Sequence, residues 1–224
     1  QEGSRVWVLD NFLTGSPENL PKGAGLIEGD ITSENLYSDL PHEPFDAVFH
    51  LAGQSSGPIS GDRPTLDLDI NTKGTLLLLK WIAARGIPRF LYASSQAVYG
   101  DAGGKALRED HPCAPHSYYG VSKLAAEHYV NIFSRRGLST TIFRMSNVYG
   151  PGQNLDNLNQ GMVSIYMAYL LRNDPILVMG SLERFRDLIY IDDVVDAWVT
   201  ALDNSKAIGK TYNLASGLTT TVRE

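Results

Sequence analysis

The chain has 224 residues, of which 43% are apolar, and this length and composition predict one sizeable core within roughly one to two domains. Nineteen basic and 25 acidic residues give a formal net charge of −6, which argues against a nucleic-acid or anionic-membrane surface because such surfaces need a clustered basic face. Cys113 is the only cysteine, which excludes a disulfide framework or a cysteine-based zinc site within the chain and fits a cytoplasmic location. The leucine run at 76–79 ends at Lys80, far short of the roughly 20 apolar residues that cross a membrane.

Short apolar segments alternate with helical patterns along the chain. Buried strands are predicted where a brief apolar run stops at a polar residue or glycine, at 6–9, 26–30, 47–51, 89–93 and 140–144, with a possible sixth at 176–179. Helices are predicted at 72–84, 118–135 and 192–202 from apolar spacing and end signals. This alternation predicts an α/β fold in which right-handed crossovers build a doubly wound parallel sheet.

The second of these helices has the clearest pattern. Ser117 is its predicted N-cap. Six residues form one broad stripe, which is typical of a core-facing surface: Val121, Leu124, Ala125, His128, Tyr129 and Ile132. Farther along, the Pro/Gly/Asn-rich stretch at 150–161 predicts the point where a sheet domain at 1–150 gives way to a smaller substrate lobe at 151–224.

Polar residues follow the predicted strands at 10–11, 30–31, 52–54, 94–96 and 146–147. Ligands of an open parallel sheet lie beyond the carboxyl ends of its strands, so these residues are candidates for a binding site. Asp10 ends an early strand, where a carboxylate is placed to accept hydrogen bonds from a ribose diol. The alternative for Asp10 is an ordinary turn aspartate.

Tyr119 and Lys123 are four residues apart on a predicted helix, so their side chains share a face. A phenol has a reference pKa of about 10 and is a poor base at neutral pH, and a nearby cation lowers that pKa because it stabilises the phenolate. Ser95 ends the preceding strand, about where its hydroxyl could meet the same substrate oxygen. The trio favours base catalysis on an alcohol, although Tyr and Lys at this spacing also occur on ordinary surface helices.

Six sequence blocks resemble one family, the extended short-chain dehydrogenases/reductases, and specifically its nucleotide-sugar epimerases and dehydratases. SSQAVYG at 94–100, SYYGVSK at 117–123 and RMSNVYGPGQ at 144–153 look like three blocks of that family. HLAG at 50–53, NTKGT at 71–75 and RDLIYIDDV at 186–194 are similar to three more. The blocks occur in the family's order, and they point to a Rossmann-like NAD-binding domain more specifically than to any one substrate.

The resemblance implies a role for each matching residue. Tyr119 is the implied general base on a sugar 4-hydroxyl, Lys123 lowers its pKa and holds the nicotinamide ribose, and Ser95 hydrogen-bonds the reacting oxygen. The implied cofactor is NAD, bound by Asp10, Asn11, Asp30, Ile31, Leu51, Ala52, Gly53, Asn71, Ser94, Tyr119 and Lys123. The implied sugar-nucleotide site comprises Ser95, Gln96, Tyr119, Asn147 and Arg186, with the Arg186 guanidinium on the diphosphate.

Some of these residues have simpler interpretations. Ser94 and Tyr99 could serve only strand-end packing, and Arg186 could form a surface ion pair with Asp187. The five histidines show no ligand spacing, so we predict no metal site. Arg184 has no predicted role.

Both ends of the chain depart from the family pattern. If Asp10 binds the ribose, the glycine-rich turn should lie about 20 residues earlier, before residue 1. At the other end, 221–224 has the form of a capping box, which begins a helix. The sequence therefore predicts an internal fragment of a longer protein, without the first strand and pyrophosphate loop, that binds NAD poorly.

The residues after Ser95 bear on the reaction type. Dehydratases of the family look like they carry an acidic pair, or at least a glutamate, directly after the strand-end hydroxyl. In this chain the corresponding positions hold Gln96 and Ala97, which cannot act as general acids or bases. We therefore predict an NAD-dependent 4-epimerase of a nucleotide sugar, most simply a UDP-hexose, that forms a homodimer through the helices near 75–85 and 118–135. The alternatives are a 4-keto-sugar reductase, a uronic-acid epimerase or a dehydratase of the same family, or a non-catalytic dinucleotide-binding regulator.

Overall fold

The computed structural model describes residues 3–101, 103, 106–159, 161–178 and 180–224. Its strands, in chain order, are β1 (Trp7–Asp10), β2 (Gly25–Glu28), β3 (Ala47–His50), β4 (Arg89–Ser95), β5 (Ser139–Met145), β6 (Asn147–Tyr149), β7 (Phe185–Arg186), β8 (Leu188–Tyr190), β9 (Lys210–Leu214) and β10 (Thr220–Thr221). Its α-helices are α1 (Leu36–Asp39), α2 (Gly57–Asp62), α3 (Pro64–Asp67), α4 (Thr75–Arg85), α5 (Tyr118–Arg135), α6 (Met162–Leu171) and α7 (Ile191–Asp203). A π-helical segment, Leu68–Gly74, leads directly into α4.

A four-stranded parallel sheet with the order β3-β4-β5-β9 forms the centre of the fold. Separately, β1 pairs in parallel with β2, β6 pairs in parallel with β8, and β7 pairs antiparallel with β10. Parallel neighbours need long crossover connections, and helices supply them here. The predicted α/β fold is therefore confirmed.

The central sheet is covered on both faces. Phe90 and Tyr92 of β4 face a cluster built largely from α4 and α5, which contains Leu78, Leu79, Ile82, Ala126 and Val130. Leu91 and Ala93, the alternate residues of the same strand, face a second cluster that contains Phe143, Ile189, Val194 and Trp198. Successive side chains of a strand point to opposite faces, so a strand that is apolar at every position is buried on both sides.

The first five predicted strands begin and end within two residues of the observed strands β1 to β5, whereas the sixth does not correspond to a strand. Residues 176–178 do not form a strand, so that prediction is wrong, and Met179 lies outside the described residues. The position beside β5 is instead taken by β9, whose Lys210–Leu214 sequence lacks a continuous apolar run. At 221–224 the reciprocal hydrogen bonds of a capping box are present, from Thr221 N to Glu224 Oε2 at 2.8 Å and from Glu224 N to Thr221 Oγ1 at 3.3 Å.

Helix α5 begins at Tyr118 and ends at Arg135, as predicted, but it buries a different face. Its buried residues are Gly120, Ser122, Lys123, Ala126, Glu127 and Val130. Three members of the predicted stripe are exposed: His128, Val121 with 53% of its surface accessible, and Ile132 with 40%. The polar side chains of the inward face find hydrogen-bond partners in the sheet and in the π-helical segment, and this makes their burial favourable.

Candidate active site

Tyr119, Ser95 and Lys123 meet where β4 ends and α5 begins. The Ser117 side chain caps α5 by accepting a 3.1 Å hydrogen bond from Gly120 N, which fixes the first turn of the helix. The Ser95 side chain lies close enough to the side chain of Tyr119 to lower the pKa of its hydroxyl. Lys123 Nζ lies 6.0 Å from the centre of the Tyr119 ring. The structure therefore brings the predicted trio together.

The turn after Ser95 packs closely on the first turn of α5. Ser95 Oγ accepts a 3.2 Å hydrogen bond from Ala97 N and so caps the 3-10 turn Gln96–Tyr99, in which Gln96 is half-buried. A Cβ atom at Gly120 would lie 2.5 Å from the carbonyl oxygen of Ala97. Only glycine permits this approach, and the approach keeps the neighbouring Tyr119 beside Ser95. The sequence shows this glycine, but not the carbonyl oxygen it must accommodate.

Lys123 is held by neighbours other than Tyr119. Its Nζ donates a 2.9 Å hydrogen bond to the carbonyl oxygen of Ala93 and lies 5.2 Å from the centre of the Tyr92 ring. Burial raises the pKa of Tyr119 above its ordinary value near 10, although the Ser95 hydroxyl acts in the opposite direction. The ammonium group of Lys123 is held at Ala93 and Tyr92, and its lowering of the Tyr119 pKa stays a prediction.

The pKa of Lys123 itself yields a testable pH dependence. Burial lowers it from 10.5 to about 8, against the opposing charges of Asp67 and Glu127. Between these two pH values the unfolded chain keeps the proton and the folded chain loses it, so the unfolding free energy gains a contribution from Lys123 as pH rises from about 8 to 10.5. We expect the difference in unfolding free energy between wild type and Lys123→Met to shift in favour of wild type over this window. Urea unfolding at pH 7, 8, 9 and 10 measures it, and a pH-independent difference would contradict the lowered pKa.

A buried polar network holds the backbone of Tyr119. Ser60 Oγ accepts a 3.0 Å hydrogen bond from Tyr119 N and donates one of 2.5 Å to Asp67 Oδ2. Asp67, only 1% exposed, also accepts a 2.6 Å hydrogen bond from Gln54 Nε2. This carboxylate therefore positions the start of α5 through Ser60. The sequence gives no signal for it, since Pro-Thr-Leu-Asp at 64–67 is typical of an ordinary exposed helix start.

Asn71 joins the loop after β3 to α5. Its Oδ1 accepts from Gln54 N at 2.9 Å, and its Nδ2 donates to the carbonyl oxygen of Gln54 and to Ser122 Oγ, both at 3.0 Å. A Cβ atom at Gly53 would lie 2.9 Å from Asn71 Oδ1 and 3.0 Å from Lys123 Nζ. The loop thus passes directly over both side chains with no room for a larger residue. Asn71 has a structural role here that its predicted place near NAD did not indicate.

The same loop leaves an open surface beside Lys123. Leu51, Ala52 and Gly53 are exposed, and Leu51 is 62% accessible although it follows a strand. Gly53 has no side chain and lies in an exposed loop beside the buried Lys123 ammonium group, so a dinucleotide can approach the backbone closely. These residues fit the predicted cofactor.

Asp10 is the last residue of β1, and Asp30 lies two residues beyond β2, the strand that pairs with β1. Asp10 Oδ1 accepts a 2.7 Å hydrogen bond from Phe12 N, and Asn11 Nδ2 donates one of 3.3 Å to Asp30 Oδ2. Burial raises the pKa of Asp30, but hydrogen bonds from Thr32 and Asn11 outweigh it, so the net pKa is lowered and the carboxylate is charged at neutral pH. Two carboxyl groups at adjacent strand ends fit the hydroxyl donors of a ribose.

Two predicted cofactor residues direct their side chains into the protein. Ile31 is 7% exposed and packs on Gly74, where a Cβ atom would lie 2.8 Å from the isoleucine side chain. Ser94 is 2% exposed, and its hydroxyl donates a 2.5 Å hydrogen bond to Glu127 Oε1. Only the backbone of these residues is left for a contact with NAD. The simpler interpretation of the Ser94 side chain, packing at the strand end, agrees with the structure.

A buried ion pair lies beneath this site. Arg144 of β5 donates to both carboxylate oxygens of Glu127 on α5, with Nε to Oε1 at 3.0 Å and Nη2 to Oε2 at 2.7 Å. Burial lowers the pKa of Arg144, but Glu127 outweighs this effect and the net pKa is raised. Arg144 Nη1 also donates to the Tyr99 hydroxyl at 2.9 Å, which in turn donates to Asn213 Oδ1 at 2.7 Å. The cluster connects α5, β5, β9 and the turn after Ser95.

Asn147 lies on β6, which pairs with β8, and Arg186 lies on β7, which precedes β8 in the chain. Asn147 Nδ2 donates a 3.1 Å hydrogen bond to the carbonyl oxygen of Asp187. The Asp187 carboxylate accepts from the backbone N–H groups of Ser216 and Gly217, both at 2.8 Å. Arg186 Nη1 donates to the carbonyl oxygen of the preceding residue at 2.8 Å, and within the described residues no ion pair joins Arg186 to Asp187. Asn147 is therefore held next to Asp187, the residue that follows Arg186.

Over the described part of the chain, no group of three or more His, Cys, Asp or Glu side chains is placed to hold a metal ion. No described helix combines the length and apolar character needed to cross a membrane.

The fold and the site together define the class of protein. A parallel sheet covered on both faces, with Tyr119 and Lys123 on a helix beside the strand-end Ser95, is the arrangement of the extended short-chain dehydrogenases/reductases. The model of the NAD dependent epimerase/dehydratase family matches residues 1–215. The chain belongs to that family, and the family description agrees with NAD as the predicted cofactor.

Similar proteins show how far the likeness extends. A putative UDP-glucose 4-epimerase of Methanocaldococcus jannaschii is 33% identical over 221 residues, which cover 98% of this chain and 71% of the relative. A GDP-6-deoxy-D-mannose reductase of Pseudomonas aeruginosa is 35% identical over 211 residues, 92% of this chain and 67% of the relative. The crystal structure of Thermotoga maritima UDP-glucose 4-epimerase with UDP-glucose superimposes with a TM-score of 0.91 at 33% identity, covering 99% of this chain and 72% of that one.

Proposed function

We propose that this protein interconverts nucleotide sugars that differ in configuration at C4, with a UDP-hexose as substrate. The observation that carries the proposal is the placement of the Tyr119 and Ser95 side chains close together, beside the buried ammonium group of Lys123. This arrangement suits the removal of a proton from an alcohol. The 33% identity to UDP-glucose 4-epimerases supports the choice of reaction.

The proton of the sugar 4-hydroxyl passes to the phenolic oxygen of Tyr119. Burial opposes the phenolate, so the Ser95 hydroxyl and the nearby positive charge of Lys123 are the two groups that can stabilise it. NAD, when bound, supplies the acceptor and later the donor of the C4 hydride. The Tyr119 phenol gives the proton back when the 4-hydroxyl forms again. Both faces of a flat 4-keto carbon can be reduced, which yields the two C4 configurations.

The substrate is held at a distance from the reacting carbon. Arg186 offers a guanidinium group to the diphosphate, and burial lowers its pKa without neutralising it at pH 7. Asn147, fixed by its hydrogen bond to the Asp187 carbonyl, contributes an amide to the same phosphates. Binding energy gathered here orients the sugar toward Tyr119.

The turn after Ser95 favours an epimerase over a dehydratase. A dehydratase must remove water across C5 and C6, which calls for acid and base side chains near the sugar ring. Gln96 and Ala97 occupy the turn and supply neither. A 4-keto-sugar reductase is the second candidate, because it would use the same Tyr119, Lys123 and Ser95, and because one of the similar proteins is a reductase.

Incubation of the purified full-length protein with NAD and a panel of UDP-sugars tests the proposal. An epimerase forms the C4 isomer with no net production of NADH, and NMR of the sugar detects it. A reductase consumes NADH or NADPH with a 4-keto sugar, and a uronic-acid epimerase acts only on UDP-uronates. Tight NAD binding with no turnover of any sugar nucleotide would contradict the proposal and favour a dinucleotide-binding regulator.

We also propose a homodimer formed through α4 and α5. The outward face of α5 exposes apolar side chains, among them Val121 at 53% and Ile132 at 40%, and an apolar face of this kind marks an interaction surface. A second copy of the chain would cover it with the same face. Sedimentation equilibrium of the full-length protein measures the mass, and a monomer at all concentrations would exclude the dimer.

The cytoplasm is the location that we propose for this activity. Cys113 is a free cysteine, so the fold relies on no disulfide that an oxidising compartment would have to form. Cell fractionation with an antibody against the native protein checks the location, and recovery from a secreted fraction would contradict it.

A further inference from the structure

Arg184 has an unused hydrogen-bond donor in a buried position. Its Nε is shielded from solvent and has no hydrogen-bond partner in the described part of the chain. A buried donor without an acceptor is unfavourable, and native proteins keep few of them. The described ion pairs assign no carboxylate to Arg184, although the neighbouring Arg223 is paired with Glu183. The guanidinium group of Arg184 therefore lacks a hydrogen-bond acceptor in this buried position.

Arg184 and Arg186 project from the same side of one strand. The hydrogen bond from Val222 N to the carbonyl oxygen of Arg184, at 3.0 Å, extends the β7–β10 ladder by one residue beyond Phe185. In this extended backbone, residues two apart share a face. Phe185, between them, is 45% exposed, whereas both arginines are half-buried.

The charge arrangement at this face suits an anion. The two guanidinium groups are close enough for the charge of Arg184 to lower the pKa of Arg186. Like charges repel, and within the described residues no acidic side chain is paired with either arginine to offset the repulsion. A ligand with two adjacent negative groups would relieve it and would give Arg184 Nε an acceptor. Guanidinium groups bind phosphate oxygens in a fixed, often bidentate geometry.

We propose that Arg184 is a second anchor for the diphosphate of the substrate and acts beside Arg186. The inference rests on the proposed function, because it takes a nucleoside diphosphate sugar as the ligand. Each of the two arginines would bind one phosphate group of the diphosphate. Arg184 is therefore a binding residue whose contribution falls on substrate affinity.

Binding of nucleoside diphosphates to the full-length protein tests this assignment. Calorimetry with UDP, dTDP, CDP and GDP first identifies the one that wild type binds, and the matching nucleoside serves as a ligand without phosphate. We expect Arg184→Gln to weaken binding of that diphosphate about tenfold or more, since a hydrogen bond to a charged group is lost, and to leave the affinity for the nucleoside unchanged. Arg223→Gln is the control, because Arg223 is exposed and already paired with Glu183.

A second measurement separates ligand binding from a structural role. Removal of an unpartnered buried donor should not lower the melting temperature of the ligand-free protein, whereas loss of a structural residue would. Arg184→Lys keeps the positive charge but loses the planar guanidinium group that can donate two parallel hydrogen bonds. This variant should bind the diphosphate with intermediate affinity. Diphosphate affinity equal to wild type in Arg184→Gln would overturn the inference and leave the proposed function intact. Failure of wild type to bind any of the four diphosphates would overturn the proposed function itself.

Discussion

Replacement of Tyr119 by phenylalanine is expected to lower kcat for C4 epimerisation by about 10²- to 10⁴-fold, the range typical of a lost general base. The substitution removes one oxygen atom, and with it the hydroxyl that lies beside the Ser95 side chain. The ring keeps its place on the first turn of α5 because the backbone N–H of Tyr119 remains bonded to Ser60 Oγ. We therefore expect KM to change little. Initial rates measured over a range of UDP-sugar concentrations separate the two constants.

Tyr118 provides a matched control for this experiment. It is the same residue type, one position earlier on the same helix, and it is 59% exposed. Tyr118→Phe should leave kcat unchanged because its hydroxyl faces solvent. Full activity of Tyr119→Phe would remove the base assignment. Equal losses in both variants would instead show that α5 is sensitive to any change at its start.

Strands β1 to β5 could be predicted well because their sequences are short apolar runs. Phe90, Leu91, Tyr92 and Ala93 are each buried, so the run at 89–93 could only be a strand covered on both sides. The strands after residue 146 could not be predicted in this way. β6, β7, β8 and β10 have only two or three residues each, which is too few for any periodicity to show. Tertiary pairing, rather than local sequence, defines them.

The reacting side chains were predictable, but the face of the helix that carries them was not. Apolar spacing identifies the apolar side of α5, and the helix exposes part of that side, while Tyr129 packs on the core. Lys123 and Glu127 are buried because Ala93 and Arg144, distant in sequence, satisfy them. A pattern within the helix cannot show partners on other strands. The same limitation hid Asp67, which acts on Tyr119 only through Ser60.

The buried pair of Arg144 and Glu127 leads to the largest expected effect on stability. Arg144→Met should lower the unfolding free energy by about 3–5 kcal/mol, the range for removal of one partner of a buried ion pair. The variant leaves the Glu127 carboxylate buried without its cation and takes a donor from the Tyr99 hydroxyl. Urea unfolding at pH 7 measures the loss.

The exposed pair of Arg172 and Asp156 is the control, since Arg172→Met should change stability by less than about 1 kcal/mol. The double variant Arg144→Met, Glu127→Leu tests the cause of the loss. If the unpaired carboxylate is responsible, removing it as well should recover part of the stability lost in Arg144→Met, because an apolar pair has no charge to desolvate. A double variant less stable than Arg144→Met would show instead that Glu127 stabilises the fold chiefly through Ser94. The Ser94 hydroxyl donates a hydrogen bond to Glu127 and so joins β4 to α5. Tyr119 and Ser95 should move apart only in the variants that loosen α5 from the sheet. We therefore expect kcat to fall in the variants whose unfolding free energy falls.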